Sequence, residues 1–311
     1  MQRRWQGRSG PDVSDGLPAI TRGFSWDFRG REQRLRVRIP MWLYAHYLAR
    51  PRSPDHGIYV IDPFDDRVIE DIASAIDAYA QRNSFSDDSR VEFATQFVQH
   101  LEYVPDDVST PYNDYPRYPV ETLVHRGGDC EDVSILLASI LQALGEEVGL
   151  LRLPGHLQVG VVRDGSYPGA HYEHGGECYY VLEATGGGWR LGEAPPEHEG
   201  QRGEVLPLSA VPLLLHRWSV AAGEDGEVAG VVHVTNLGST SAERAVGLVQ
   251  FETATGGWTG NRTWVLDGIG VAETRAFEFQ VRPSSTELQA ARVRLFVNGH
   301  LHDESTSPFS V

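Results

Sequence analysis

The feature that most constrains this chain is an apolar repeat of helical period that is followed at once by strand-like segments. Apolar residues at i, i+3, i+4, i+7, i+8 and i+11 form one stripe along a helix. The stripe consists of Val133, Leu136, Leu137, Ile140, Leu141 and Leu144. Asp129 precedes it as a helix N-cap, Asp132 stands in the capping-box position, and Gly145 ends it. We therefore predict a helix over residues 130–144.

Three short segments after this helix have the composition of strands, and turns rich in Gly, Pro and His separate them. They span residues 148–153, 157–162 and 179–184. A long helix followed by antiparallel strands predicts an α+β domain. Upstream, alternation around Arg29-Gly30-Arg31 predicts a β-hairpin over 20–40, and helical periods predict helices near 69–79 and 91–101. The Pro-rich segment 104–119 predicts an ordered loop.

The composition changes near residue 196, where Pro, Gly and Glu become frequent, as they are in linkers. Beyond the linker no helical period occurs, and short alternating segments recur, which is typical of a β-sandwich. These segments span 216–221, 228–234, 246–252, 263–266, 275–281 and 291–297. We predict an α+β domain over 1–195, a linker over 196–212 and an all-β immunoglobulin-like sandwich over 213–311.

Cys130 is a candidate nucleophile because it stands in the first turn of the predicted helix, after Gly127-Gly128-Asp129. Free N–H groups and the helix dipole stabilise a thiolate at such a position. Its spacing from Val133 places it on the apolar stripe, so the sulfur faces whatever the helix packs against. The alternative is a buried structural cysteine, a common role for free Cys. A capped, glycine-preceded helix start is unusual for that role.

His156 begins the second predicted strand, and Glu183 lies near the end of the third. If these strands are antiparallel neighbours, the carboxylate can hold the imidazole in one tautomer, and the imidazole can take the thiol proton. A nucleophile, a base and an orienting acid form the constellation of cysteine hydrolases. The sequence therefore predicts a Cys130–His156–Glu183 triad.

Three motifs carry a resemblance to a known family: GGDCEDVSILLASILQALG, LPGHLQVGV and YYVLEATGGGWRLGEAP. Together they resemble the transglutaminase-like superfamily, notably its archaeal and bacterial papain-like members, over roughly residues 85–195. In that family a Cys at a helix N-terminus faces a His and an acid on adjacent strands. The resemblance implies that Cys130 is the nucleophile, His156 the base and Glu183 the orienting acid. The acid departs from the commoner Asp.

Two further sets of residues are weaker candidates. Gln99 could donate to an oxyanion, as an amide does in papain-like enzymes, or it could be a solvated helix residue. His171, His174 and Cys178 have the spacing of a zinc cluster but lack an obvious fourth ligand, so a polar loop is the favoured interpretation.

The acids beside the nucleophile also have two interpretations. Asp129, Glu131 and Asp132 oppose a thiolate, and capping together with first-turn charge explains them. Clustered carboxylates also bind calcium, and some bacterial relatives in the resembled family show similar acids and depend on calcium. Capping is the favoured interpretation, so we expect no cofactor, and calcium held by these three acids is the alternative.

The charge excludes one class of partner. The chain has 43 acidic residues and 27 basic ones, all Arg, for a net charge of −16, which would repel nucleic acid. Acid excess without Lys indicates a salt-adapted protein, although a GC-biased genome also writes Arg for Lys.

Two cysteines exclude a disulfide-dense scaffold. No apolar run is long enough to span a bilayer, and no signal peptide is visible as written. Export is open, and the one sequon, at Asn261, matters only for an exported chain.

These observations predict a thiol-dependent hydrolase or acyltransferase that acts on peptide or isopeptide amides of a protein or peptide substrate. Hydrolysis is favoured, because the chain has no lysine through which to crosslink itself. The alternative is a non-catalytic surface or adhesion protein that uses the same fold to bind a ligand, since appended immunoglobulin-like domains usually dock or space. The sequence indicates no oligomeric state.

Overall fold

A computed structural model describes residues 3–8, 18–105, 115–223, 226–285 and 287–308. The middle of the predicted Pro-rich loop, residues 106–114, lies outside the described residues. The helices are α1 (Met41–Ala49), α2 (Gly57–Val60), α3 (Asp66–Arg82), α4 (Asp87–Gln99), α5 (Pro119–His125) and α6 (Cys130–Ala143). None of these helices is both long and apolar enough to cross a bilayer.

The first ten strands are β1 (Arg3–Arg8), β2 (Ala19–Phe28), β3 (Arg31–Pro40), β4 (Glu102–Tyr103), β5 (Gly127–Gly128), β6 (Val148–Leu153), β7 (His156–Arg163), β8 (His171–His174), β9 (Glu177–Leu182) and β10 (Glu204–Pro207). The others are β11 (Leu214–Ala222), β12 (Val228–Asn236), β13 (Ala242–Thr253), β14 (Trp258–Ile269), β15 (Thr274–Val281), β16 (Leu288–Val297) and β17 (His300–Pro308). This combination of helices with several antiparallel sheets confirms a mixed α and β composition.

The described residues form two compact units. The β unit takes in those within 1–12, 49–54 and 211–311, and the α+β unit takes in those within 13–48 and 55–210.

This division departs from the predicted domain limits at both ends of the first domain. Strand β1 pairs antiparallel with β11, so the start of the chain belongs to the β unit rather than to the predicted domain 1–195. The predicted linker 196–212 also contains β10, which pairs with β6 of the α+β unit. Its Pro and Gly residues suggested a linker, but Val205 is buried against Leu151 and Val181, which explains why a strand forms there.

In the α+β unit, the hairpin β2–β3 covers helix α4 with aromatic side chains. Arg29 and Gly30 both have positive φ in its turn, which matches the predicted position. The inward residues of β2 contact Phe93 and Phe97 of α4, with ring centroids 4.8–5.5 Å apart. This contact fixes the helix that leads toward the candidate site.

Helix α6 is the centre of the α+β unit. Every residue from Asp132 to Leu141 is buried, including Ser134 and Ser139, which lie off the predicted stripe. The helix is buried all round because β6 and β7 contact one side of it, and α3 and α4 contact it as well. The small residues off the stripe allow these neighbours to approach closely. Strands β6 and β7 belong to a five-stranded antiparallel sheet in the order β10-β6-β7-β9-β8.

The β unit contains two antiparallel sheets, in the orders β1-β11-β12-β15 and β14-β13-β16-β17. Both sheets contribute to one apolar core that includes Trp218 and Phe251. Buried His216 on β11 also bonds Asp303 and Ser305 on β17, each at 2.7 Å, and so joins the two sheets. The immunoglobulin-like topology of this unit stays a prediction.

Candidate active site

Cys130 is the first residue of α6, where the chain turns from β5 into the helix. Asp129 has extended backbone angles and serves as the N-cap, and its N–H donates to the Asp132 carboxylate at 3.3 Å. This is the predicted capping box, and it fixes the backbone on which Cys130 stands. The capping box satisfies the Asp132 N–H, whereas the N–H groups of Cys130 and Glu131 lack a carbonyl one turn earlier in the helix, so the helix terminus is able to bind a negative charge.

Asp132 has a structural role that differs from the expected calcium role. Its carboxylate is fully buried, accepts the Arg117 N–H at 2.7 Å and forms an ion pair with the Arg117 guanidinium. Both carboxylate oxygens of Asp132 are therefore bonded to Arg117 of the protein itself. Calcium at this helix terminus would have to be held by Asp129 and Glu131 without Asp132, and it stays a prediction.

The start of β7 is attached to the first turns of α6. The Ser134 hydroxyl donates to the Leu157 carbonyl at 2.9 Å, and the Leu157 N–H lies close enough to the Cys130 sulfur to lower the pKa of the thiol. Leu157 directly follows His156 in β7. The structure therefore brings the sulfur next to the residue that adjoins the candidate base.

His156 and Glu183 form a hydrogen bond between Nε2 and a carboxylate oxygen, at 2.8 Å. The imidazole is 11% exposed and the carboxylate is fully buried. Strands β7 and β9 are antiparallel neighbours in which Val159 pairs with Leu182. The next step of this register sets Gln158 opposite Glu183, which explains why the carboxylate reaches the start of β7.

The bonds of Glu183 decide which nitrogen of His156 is free. Burial alone would raise the pKa of Glu183, but hydrogen bonds from His156 and Thr185 outweigh it and hold the pKa below its ordinary value. An ionised carboxylate only accepts hydrogen bonds, so His156 Nε2 carries the proton. Nδ1 of the neutral ring then has a lone pair and is the atom able to act as a base.

The surroundings of the Cys130 thiol favour its neutral form, against the expectation that the helix terminus stabilises a thiolate. Burial raises its pKa well above the ordinary value, and the Glu131 carboxylate raises it further. The thiol donates to Glu131 at 3.1 Å, and among the described residues no hydrogen bond joins it to His156. The Leu157 N–H acts in the opposite direction and lowers the pKa.

Three residues at this site were not singled out from the sequence. Gln158 donates to the Glu183 carboxylate at 2.7 Å, and Thr185 donates to it through its N–H at 2.7 Å and its hydroxyl at 2.5 Å. His198 stacks on His156 with ring centroids 4.3 Å apart and planes 9° apart. Strand alternation places Gln158 on the same face of β7 as His156, so the sequence could have indicated its position at the site. Nothing in the segment around His198 indicates its position.

Gln99 is bonded to the segment that follows β9. Its amide nitrogen donates to the carbonyls of Glu183 at 2.8 Å and Trp189 at 3.1 Å. Its oxygen accepts the Gly188 N–H at 3.1 Å. Both amide hydrogens are therefore used. The side chain is buried, which contradicts the solvated alternative, and it anchors the segment that follows β9 to α4; the oxyanion role stays a prediction.

The structure also changes the membership of the weak zinc candidate. His171 and Cys178 are brought together, but the third member is Glu173, and the donor atoms of the three lie within 4.8 Å of one another. His174 is opposite Glu177 in the sheet and, one residue after Glu173, lies on the other face of β8.

Comparisons with known proteins assign no family. No family profile matches this sequence, and no curated protein matches it. Red sea bream transglutaminase is a weak structural neighbour, at 10% identity and a TM-score of 0.29, over 100% of this chain and 78% of that one. A second neighbour is a penta-haem cytochrome c552 from Thermochromatium tepidum, at 13% identity and a TM-score of 0.24, over 32% of this chain and 39% of that one. A third is DesR, a β-glucosidase from Streptomyces venezuelae, at 12% identity and a TM-score of 0.23, over 34% of this chain and 16% of that one. The alignment thus covers less than half the length of each of these two proteins. TM-scores this low do not establish a shared fold.

Proposed function

We propose that this chain is a thiol-dependent hydrolase or acyltransferase that acts on peptide or isopeptide amides, with Cys130 as nucleophile, His156 as base and Glu183 as orienting acid. The observation that carries the proposal is the hydrogen bond from His156 Nε2 to the buried Glu183 carboxylate. It leaves Nδ1 as the nitrogen that is able to take a proton, which is the role the proposal gives to His156.

In the reaction, one covalent bond between Cys130 Sγ and the acyl carbon of the substrate forms and later breaks. Nδ1 of His156 takes the thiol proton as Sγ attacks the amide carbon, and Glu183 stabilises the imidazolium. The first-turn N–H groups of α6 stabilise the oxyanion. The imidazolium then gives its proton to the departing amine, which leaves an acyl group on Cys130. Water or a second amine removes that group while His156 takes its proton, and hydrolysis is the favoured outcome.

The proposal includes a step that frees the thiol. Cys130 donates to Glu131 in the resting structure, and burial keeps it protonated. Attack therefore requires the thiol to turn from Glu131 toward Nδ1. Substrate binding that displaces the Glu131 side chain accomplishes this, so Glu131 restrains the nucleophile until the site is filled.

The same proposal extends to the fold. A helix that presents a cysteine beside antiparallel strands with a His and an acid supports a transglutaminase-like arrangement over residues 85–195. Two facing antiparallel sheets support an immunoglobulin-like sandwich in the β unit.

Acylation by a p-nitrophenyl ester tests the proposal. The protein should carry Cys178→Ser, so that Cys130 is the one thiol left. We expect a burst of nitrophenol and an acyl adduct on Cys130 by mass spectrometry. His156→Gln should slow the burst by at least about 100-fold. His174→Gln, on β8, should leave it unchanged. Equal acylation rates in the His156→Gln protein and its parent would refute the proposed base.

A non-catalytic binding protein is the second candidate, and one observation favours it. The raised pKa of Cys130 and its bond to Glu131 suit an inert thiol as well as a restrained nucleophile. A binding protein would give no burst and no adduct on Cys130, whichever residue stands at position 156.

A further inference from the structure

The β8–β9 hairpin brings three metal-binding side chains to one place, and we call His171, Glu173 and Cys178 the hairpin cluster. Gly175 and Gly176 form the turn, both with positive φ, and this turn fixes the strand register. In that register Glu173 pairs with Cys178. His171 is two residues before Glu173, so strand alternation puts both side chains on one face of β8.

The spacing of the donor atoms is close to that of a coordinated ion. One nitrogen, one carboxylate oxygen and the sulfur all lie within 4.8 Å of one another. Zinc bonds of about 2.0–2.3 Å in tetrahedral geometry place ligand atoms about 3.3–3.8 Å apart. Rotation of the exposed His171 and Glu173 side chains covers this difference without moving the strands.

The ring of His171 has an orientation that suits a ligand. Its Nδ1 faces the Gly169 carbonyl at 3.4 Å, so that the proton belongs on Nδ1. Its plane lies against buried Tyr180, with ring centroids 4.8 Å apart. Nε2 therefore keeps its lone pair for a metal. A metal-binding histidine is commonly oriented in this way, by a carbonyl that accepts the other N–H.

We propose that the hairpin cluster binds one zinc ion. Thiolate, imidazole and carboxylate together are a donor set for zinc rather than for calcium or magnesium, which prefer oxygen ligands alone. Binding releases the Cys178 thiol proton to solvent. The two anionic ligands then neutralise the ion's double charge, and water takes the fourth position because the cluster lies at the surface.

This site is separate from the candidate active site. Cys178 and Glu183 are five residues apart along β9 and its continuation, which is about 17 Å in an extended strand. Zinc at the hairpin cluster links β8 to β9, and β9 positions Glu183. The expected effect of the ion is therefore to stabilise the edge of the sheet and not to take part in the reaction.

Cobalt and zinc titrations of the full chain test this inference. Cobalt(II) should give a thiolate-to-metal charge-transfer band in the near ultraviolet that saturates at one equivalent, and zinc should abolish it. Cys178→Ser should remove the band. Glu173→Gln and His171→Gln should each weaken zinc binding by at least about tenfold in competition with a chromophoric chelator. His174→Gln is the matched control, because it lies on the other face of β8, and it should bind as the parent does.

Variants of the other thiol and of the other group of metal-binding side chains show which results would overturn the zinc proposal. Cys130→Ser should keep the band, and so should His198→Gln, since His156, Glu183 and His198 also lie within 4.8 Å of one another. A band that survives Cys178→Ser, or one that disappears with Cys130→Ser or His198→Gln, would overturn the proposal. Failure to bind zinc at micromolar concentration would overturn it as well. None of these results depends on activity at Cys130.

Discussion

Replacement of the Glu183 carboxylate by an amide tests the hydrogen bonds that orient His156. If the amide oxygen of Glu183→Gln keeps the bonds from Thr185, its NH₂ faces His156 Nε2. The imidazole proton must then move to Nδ1, the nitrogen that should accept the thiol proton. We expect the fold to survive and acylation of Cys130 to fall roughly 10³- to 10⁴-fold.

Shortening the same side chain should have a smaller effect. Glu183→Asp keeps the charge but draws the carboxylate back by about 1 Å, for a loss of about 100-fold. Glu177→Gln, at the exposed start of β9, is the control and should acylate normally. Acylation rates measured against pH separate these cases. An unchanged profile in Glu183→Gln would remove Glu183 from the site.

Removal of the charge beside the nucleophile should make Cys130 more reactive. Glu131 raises the pKa of the thiol through its charge and by accepting the thiol hydrogen bond, so Glu131→Gln should lower that pKa. A drop of one unit gives about ten times more thiolate, and the weaker nucleophilicity of a less basic thiolate reduces the gain to roughly threefold. Iodoacetamide alkylation of the Cys178→Ser protein at about pH 8 measures the rate.

The control for this variant removes the same charge at a distant place. Glu147→Gln, exposed beyond the far end of α6, should leave the alkylation rate unchanged. A slower rate in Glu131→Gln than in the parent would mean that Glu131 assists the thiol instead of restraining it.

The sequence predicted the residue types at the site better than their contacts. His156 and Glu183 were recognisable because the spacing of two strands brings them together. The bond from Cys130 to Glu131 depends on a side-chain rotamer, and the stack of His198 on His156 depends on the course of an irregular segment. Neither leaves a periodic signal in the sequence.

At the level of elements, Gln99 connects α4 to the segment that follows β9. Gln99→Glu keeps the size of the side chain but loses the donors to the Glu183 and Trp189 carbonyls. Each carbonyl left without a partner costs about 1–3 kcal/mol. We expect a lower unfolding free energy and faster amide exchange over residues 183–189, measured by mass spectrometry.

Gln96→Glu, on the same helix, controls for the added charge and should leave exchange over 183–189 unchanged. Among the described residues, its side chain bonds Glu92 alone, one turn away. Normal exchange in Gln99→Glu combined with a large loss of acylation would contradict the anchoring role and favour the oxyanion interpretation.

The elements that could be predicted are those with a periodic pattern of apolar residues in their own sequence. The apolar stripe of α6 and the alternation in β2 and β3 are local patterns, and both appear in the structure. Strand β10 was missed because its four residues lie among Pro and Gly, and only pairing with β6 makes them a strand. A contact between residues about 50 positions apart cannot be inferred from local composition.

Strand β10 makes a prediction about where the α+β unit can be cut. A fragment that ends at residue 195 leaves the edge of β6 unpaired and uncovers the apolar contact between Leu151 and Val205. A fragment that ends at residue 210 retains both. With both fragments beginning at residue 18, we expect the longer one to be soluble and cooperative in urea, and the shorter one to aggregate. Equal unfolding midpoints would show that β10 adds no stability.

For the molecule as a whole, chain order and spatial order differ. Strand β1 lies at the beginning of the sequence yet completes a sheet with β11, more than 200 residues later. Division by composition therefore gave continuous domains, whereas the structure has a β unit made of separate segments. The net charge of −16 is a property of the whole chain, and salt adaptation stays a prediction from it.

Acid should destabilise the β unit through His302. This buried side chain on β17 accepts the Leu214 N–H at 3.0 Å, so it must be neutral. Burial lowers its pKa to about 4, and Arg50 lowers it as well, while Asp303 raises it. In the unfolded chain its pKa is about 6.5. Between these two pKa values the unfolded state binds a proton that the folded state does not. The contribution of His302 to the unfolding free energy is therefore fully present above about pH 6.5, and it is lost as the pH falls toward about 4.

The difference of pKa corresponds to about 3 kcal/mol of unfolding free energy across that range. His302→Gln tests it, because the amide oxygen can accept the Leu214 N–H without titrating. Urea unfolding of the full chain at about pH 7 and about pH 4.5, followed by amide exchange over 214–220, should show a smaller loss of stability in this variant than in the parent. His300→Gln, exposed on the same strand, should lose as much as the parent. A parent and a His302→Gln protein that lose equal stability on acidification would exclude His302 as the cause.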